Sequence, residues 1–139
     1  MATAGAAAGG GGGNAWCGLY NNATDGSYLH VVGLATYIQG STNGAAVSFA
    51  KGLQAGSTPD PPSQPVRFDQ AQPWGAPYYI NAGPTPVPTS GFMGGWGNGL
   101  ITTPGWPLWI IPPGYVLWFT AFQVGADIGC IFWYLPILD

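Results

Sequence analysis

Between Ala15 and Leu135 the apolar residues fall in short alternating or continuous runs, and no segment carries the three-to-four spacing of an amphipathic helix. Ala15-Trp16-Cys17-Gly18-Leu19-Tyr20 predicts a short strand, closed by a turn over Asn21–Gly26 in which Asp25-Gly26 is a strong turn signal. A second strand is predicted from Tyr28 to Gln39. There Leu29, Val31, Gly33 and Ala35 alternate with Tyr28, His30, Val32 and Leu34, so both faces are largely apolar, as in a strand inside a sandwich or a subunit contact. A cleaner period of two follows, Val47, Phe49, Lys51 and Leu53 against Ser48, Ala50 and Gly52.

Residues 55–105 break this regularity. Pro59, Pro61, Pro62 and Pro65, and then Pro84, Pro86 and Pro88, remove backbone donors and predict an irregular, loop-rich middle. Val66-Arg67-Phe68 and Pro77–Asn81 read as short strands between the prolines, and Gly91–Gly99 as a glycine loop carrying Phe92 and Trp96. Regular pattern returns with a strand over Pro107–Ile111, a turn at Pro112-Pro113-Gly114, a strand from Tyr115 to Val124, a turn at Gly125-Ala126-Asp127 and a last strand from Ile128 to Leu135. These three read as a β-meander. The pattern predicts an all-β fold, an antiparallel β-sandwich or jelly roll over 15–139 with a Gly/Pro-rich irregular middle segment. Residues 1–14 hold only small side chains and a run of glycines, with nothing to bury, and read as a flexible arm.

Composition sharpens this picture at two points. Gly 24 and Pro 14 together make up about 27 per cent of 139 residues, roughly twice ordinary usage, which alone would fit a disordered chain. Seven Trp, seven Tyr and six Phe exclude that, because disordered segments lack aromatic residues. The second point is charge, carried by only 5 per cent of residues and by none from Gln70 to Ala126. A free monomer needs surface charge for solubility, so the deficit points to surfaces covered by neighbouring subunits. Two basic residues and a net charge of -3 leave no patch for phosphate neutralisation, and nucleic acid is not an expected partner.

The candidate chemistry is sparse. His30, the single histidine, stands in a strand between Leu29 and Val31; Asp25 and Asp127 sit in turns, Asp60 among prolines, Asp69 two residues from Arg67, and Asp139 at the last position. Nothing brings an acid, a base and a nucleophile together, so no catalytic residue is expected and the chain does not read as an enzyme. Cys17, Cys130 and one His are too few for a zinc centre, and no metal or cofactor is expected. The two cysteines read as buried free thiols, and their positions leave open whether they pair. Gly94–Gly99 lacks the Lys-Ser/Thr ending of a phosphate loop. No signal peptide is recognisable at Met1–Asn14, and Pro107, Pro112–Gly114 and Gly125–Asp127 cut the apolar C-terminal third into pieces too short for a spanning helix, so no membrane partner is expected.

The aromatic residues carry the functional signal. Trp109, Trp118, Phe119, Phe132 and Trp133 fall in predicted strands and read as core. Trp74, Tyr78, Tyr79, Phe92, Trp96 and Trp106 lie in or near loops, where they suit a subunit interface or, in the sharper reading, a stacking platform for a saccharide.

Two stretches resemble a pattern seen in small virion proteins of tailed bacteriophages. One is Leu19-Tyr20-Asn21-Asn22 leading into Tyr28-Leu29-His30-Val31-Val32. The other runs from Ile110-Ile111-Pro112-Pro113-Gly114-Tyr115-Val116-Leu117-Trp118 to Gly129-Cys130-Ile131-Phe132-Trp133 and Pro136. The family has an acidic residue soon after the final Trp, where this chain has Tyr134 and Leu135. The resemblance implies a β-sandwich building block of a capsid surface, tail or fibre, made in the host cytoplasm and located in the virion. Its partners would be copies of itself, a trimer being the favoured order, and other virion proteins. A receptor-binding carbohydrate module is the alternative function.

Overall fold

A computed structural model of the chain describes residues 2–7, 13–39, 44–59, 74–83, 92–96, 99–102, 107–123 and 125–138, with backbone alone for 2–7, 82–83, 92–96 and 99–102. In chain order the strands are β1 (Ala2–Ala7), β2 (Asn14–Tyr20), β3 (Tyr28–Gln39), β4 (Ala45–Lys51), β5 (Thr58–Pro59), β6 (Ala76–Gly83), β7 (Phe92–Trp96), β8 (Gly99–Thr102), β9 (Trp109–Ile111), β10 (Tyr115–Ala121) and β11 (Asp127–Ile137). They form two antiparallel sheets packed face to face, an all-β sandwich. One sheet, A, runs β1-β11-β3-β8, with β9 also on β3; the other, B, runs β5-β6-β2-β10-β4-β7. Among the described residues no helix is long and apolar enough to cross a membrane.

The chain crosses between the sheets from β2 to β3, from β3 to β4, and again from β9 to β10 and from β10 to β11. This corrects the expected C-terminal meander: β9 and β11 flank β3 in sheet A, while β10 lies in sheet B between β2 and β4. Tight turns at Pro112–Gly114 and Gly125–Asp127 fit either arrangement, and what decides is burial. Leu117, Phe119 and Ala121 of β10 face Ile128, Cys130 and Phe132 of β11 across a shared core that also takes Leu19, Leu29, Val31 and Leu34. A strand placed beside its neighbour in one sheet could not present those side chains to it.

The 12-residue β3 owes its two-sided sequence to a bulge. Tyr134 pairs with Val31 but Trp133 pairs with Gly33, so Val32 is an extra residue and the alternation reverses beyond it. Leu29 and Val31 point inward before the bulge, and Leu34 and Ile38 after it, in place of the unbroken Leu29-Val31-Gly33-Ala35 face the sequence suggests.

Three further expectations change. Cys17 and Cys130 are a disulfide and not free thiols, with S–S 2.04 Å and Cα atoms 6.4 Å apart. Both lie on inner faces, Cys17 on β2 and Cys130 on β11, so the bond ties sheet to sheet. The arm expected over 1–14 meets β1, paired with β11 from Ala2 opposite Trp133 to Ala7 opposite Ile128; backbone pairing needs no side chain to bury. Within the glycine loop expected over 91–99, Phe92–Trp96 form β7, on β4 in sheet B, and Gly99 opens β8, on β3 in sheet A, while 91, 97 and 98 lie outside the described residues. Pro77–Asn81 lies within β6 as expected, and Val66–Phe68 lies outside the described residues.

Sheet B is also buried on its outer side. Trp16, Val116, Trp118, Ile80 and Ala50 make a second apolar cluster there, with the Trp16 and Trp118 rings edge to face at 5.6 Å. Trp118 is therefore buried, though not in the inter-sheet core. Trp133 points to the outer side of sheet A and is half-buried, while Trp109, Phe119 and Phe132 belong to the inter-sheet packing.

Candidate docking groove at the open flank of the sandwich

Val47 and Phe49 share the inner face of β4, and Phe49 pairs with Leu117 of β10, yet Val47 is buried and Phe49 is 43% exposed. Sheet A ends at β9 on this flank, so it does not cover the far end of β4. The result is a groove of about 340 Å³ between the two sheets. Trp109, Ile110, Ile111 and Pro112 form one wall; Phe49, Tyr115, Val116 and Leu117 form the other. Phe49 and Tyr115 pack with ring centroids 6.5 Å apart, and Trp109 stands edge to face on Phe119 at 5.8 Å, which fixes the base of the groove to the core.

Asn21 holds this end in shape. Fully buried, it donates from Nδ2 to the Ser27 and Ile111 carbonyls, each at 2.8 Å, and accepts at Oδ1 from the Ala23 N–H at 3.0 Å. Its backbone N–H donates to the Tyr115 carbonyl and its own carbonyl accepts from Gly114. One side chain thus joins the turn after β2 to the β9–β10 turn, and every amide atom has a partner, as burial requires. Beside it, Ser27 N–H donates to Asp25 Oδ1 at 2.9 Å. The Ser27 hydroxyl, then that N–H, and more weakly the Trp74 side chain hold the exposed Asp25 carboxyl below its ordinary value of 3.8.

Apart from the Tyr115 hydroxyl the side chains that line the groove are apolar, so what it offers is chiefly apolar contact. Among the described residues no three His, Cys, Asp or Glu side chains cluster as metal ligands. The other conspicuous surface is the outer face of sheet A. Tyr37, Ile110, Ile131, Leu135 and Ile137 are exposed on it, and β3, β9 and β11 contribute a single charged residue, Asp127, at its far end. His30 lies in this face, opposite Leu135 on one side and Ile110 on the other.

Of the six aromatic residues singled out in the sequence, Trp74, Tyr78 and Tyr79 have described side chains, and these do not share one face. Trp74 and Tyr79 pack against the inter-sheet core, and the Trp74 carbonyl accepts from Tyr134 Oη at 3.1 Å. Tyr78 points to the opposite side of β6, edge to face with Tyr20 at 6.0 Å. Adjacent strand positions must diverge in this way. Phe92 and Trp96 open and close β7 at the edge of sheet B, and Trp106 lies outside the described residues.

The groove residues Phe49, Ile110 and Tyr115 were not picked out by the sequence. A signal was present in Lys51, which shares the inner face of β4 with Val47 and Phe49: a charge on an apolar face marks where covering stops. Comparison with protein families, curated proteins and solved structures finds no match to this chain.

Proposed function

We propose that this chain is a non-enzymatic structural subunit that assembles with copies of itself and with other proteins of a larger particle, a tailed-phage virion being the setting its sequence resembles. The observation that carries the reading is the outer face of sheet A, where Ile131, Leu135, Ile137 and Ile110 are exposed with almost no charge among them. Burial of such a face contributes about 25 cal/mol per Å² of apolar area removed from water, and exposed patches of this kind mark protein contacts. The Cys17–Cys130 bond adds to it, since disulfides persist where conditions are oxidising, as they are outside a cell.

Light scattering of the full chain over a concentration series tests the reading. A stable oligomer is expected, with Ile131→Lys and Leu135→Lys lowering its mass while leaving the melting temperature unchanged. A monomer at every concentration, joining no particle, would sink it.

The saccharide-binding alternative keeps one observation, the half-buried Tyr20–Tyr78 pair on the outer side of sheet B. A glycan signal lost in Tyr78→Ala would favour it.

A further inference from the structure

The groove and a protruding apolar tip lie side by side at one end of the molecule. β11 pairs with β3 as far as Ile137 opposite Tyr28, and β9 pairs with the other edge of β3, Ile111 opposite Leu29. Ile137 therefore stands two strand spacings from the groove wall, about 10 Å. Beyond it Leu138 is 64% exposed and lies against the turn at Gly26.

Charge is placed to match. Lys51, one of two basic residues in the chain, pairs across the strands with Tyr115 at the groove mouth. Asp25 precedes Gly26 at the foot of the tip, and both Lys51 and Asp25 are exposed.

A groove and a tip adjacent on one surface are self-complementary under a two-fold axis, because each copy then offers its tip to the groove of the other. A foreign partner would have to supply both an apolar tip and a neighbouring acid; a second copy already has them. We propose that this end of the sandwich is a two-fold interface between two copies of the chain, with Ile137 and Leu138 of each seated in the groove of the other and Lys51 facing Asp25 of its mate. The groove walls Phe49, Trp109 and Tyr115 receive the aliphatic side chains, and the ion pair at the rim fixes the register. The inference rests on the self-assembly reading and names the contact and its symmetry.

Sedimentation equilibrium of the full chain tests it. The wild type is expected to be a dimer, or an even-numbered assembly of dimers. Leu138→Asp and Lys51→Asp should each raise the dissociation constant at least tenfold, and Lys51→Asp combined with Asp25→Lys should return it to within about threefold of wild type. All three sites are exposed, so melting temperatures of the variants report any damage to the fold separately. A trimeric wild type, or an oligomer indifferent to Leu138→Asp and Lys51→Asp, would overturn the two-fold contact and leave the assembly reading standing. Failure of the double charge exchange to recover association would overturn the Lys51–Asp25 contact. A wild type that is monomeric throughout would overturn the interface and self-assembly together.

Discussion

The indole of Trp118 lies directly over Gly18, its antiparallel neighbour in sheet B. A Cβ on Gly18 would fall 2.6 Å from Trp118 Cε3 and 2.7 Å from the Leu117 carbonyl oxygen. Glycine is required here by close approach and not by a turn, and the absent side chain is what lets a fully buried indole lie flat on the sheet. Because one of the two clashing atoms is backbone, the site cannot relax by a rotamer change alone. Gly18→Ala should therefore destabilise the fold by about 1–3 kcal/mol, read as a lower midpoint in denaturant unfolding; an unchanged midpoint would mean that Trp118 moves freely.

On the same outer face a substitution of opposite sign is expected. Thr120 is buried and, among the described residues, its Oγ1 has no hydrogen-bond partner, nor has Ser48 Oγ or either indole N–H of Trp16 and Trp118. Thr120→Val replaces that hydroxyl with a methyl of the same shape and should stabilise by about 1 kcal/mol. A loss of stability in thermal melts would show that the hydroxyl is satisfied in solution.

The disulfide spans a sequence separation of 113 residues and joins the inner faces of the two sheets. Closing so long a loop restricts the unfolded chain, and Cys17→Ala with Cys130→Ala should cost about 4–5 kcal/mol by the chain-entropy account. Both sulfurs are buried, so a mild reductant should leave the native bond intact and cleave it only after denaturant opens the sandwich. Rapid reduction of the folded protein, followed by thiol labelling, would contradict the burial.

Asp25 gives a pH dependence with a defined sign. Its carboxyl is held below the ordinary value of 3.8 chiefly by the Ser27 hydroxyl and backbone N–H. Its contribution to stability is therefore fully present above the unfolded value and is lost as pH falls through the lower, folded one. Ser27→Ala should move the titration midpoint, followed by carboxyl NMR shifts, back up toward the unfolded value. No movement would remove Ser27 as the cause.

Much of the architecture was legible in local pattern. The period of two at Val47, Phe49 and Lys51, the turn at Asp25-Gly26 and the proline turn before Gly114 locate β4, the β2–β3 turn and the β9–β10 turn, because alternation and turn chemistry act over a few residues. The glycines at 94 and 95 misled, since pairing with β4 can hold a backbone that has no strand propensity of its own.

By itself the sequence determined an all-β sandwich, a core of aromatic and β-branched residues, and a chain poor in charge. Those properties are sums over residues or short periods, and they survive any rearrangement of strand order. The tertiary structure alone decided that β10 and β11 face one another, that Cys17 meets Cys130, that Val32 reverses the alternation of β3 and that Phe49 is left uncovered. Each depends on which strands become neighbours across residues far apart in the chain, and that is settled by the total area buried when two sheets close on each other, not by any local signal.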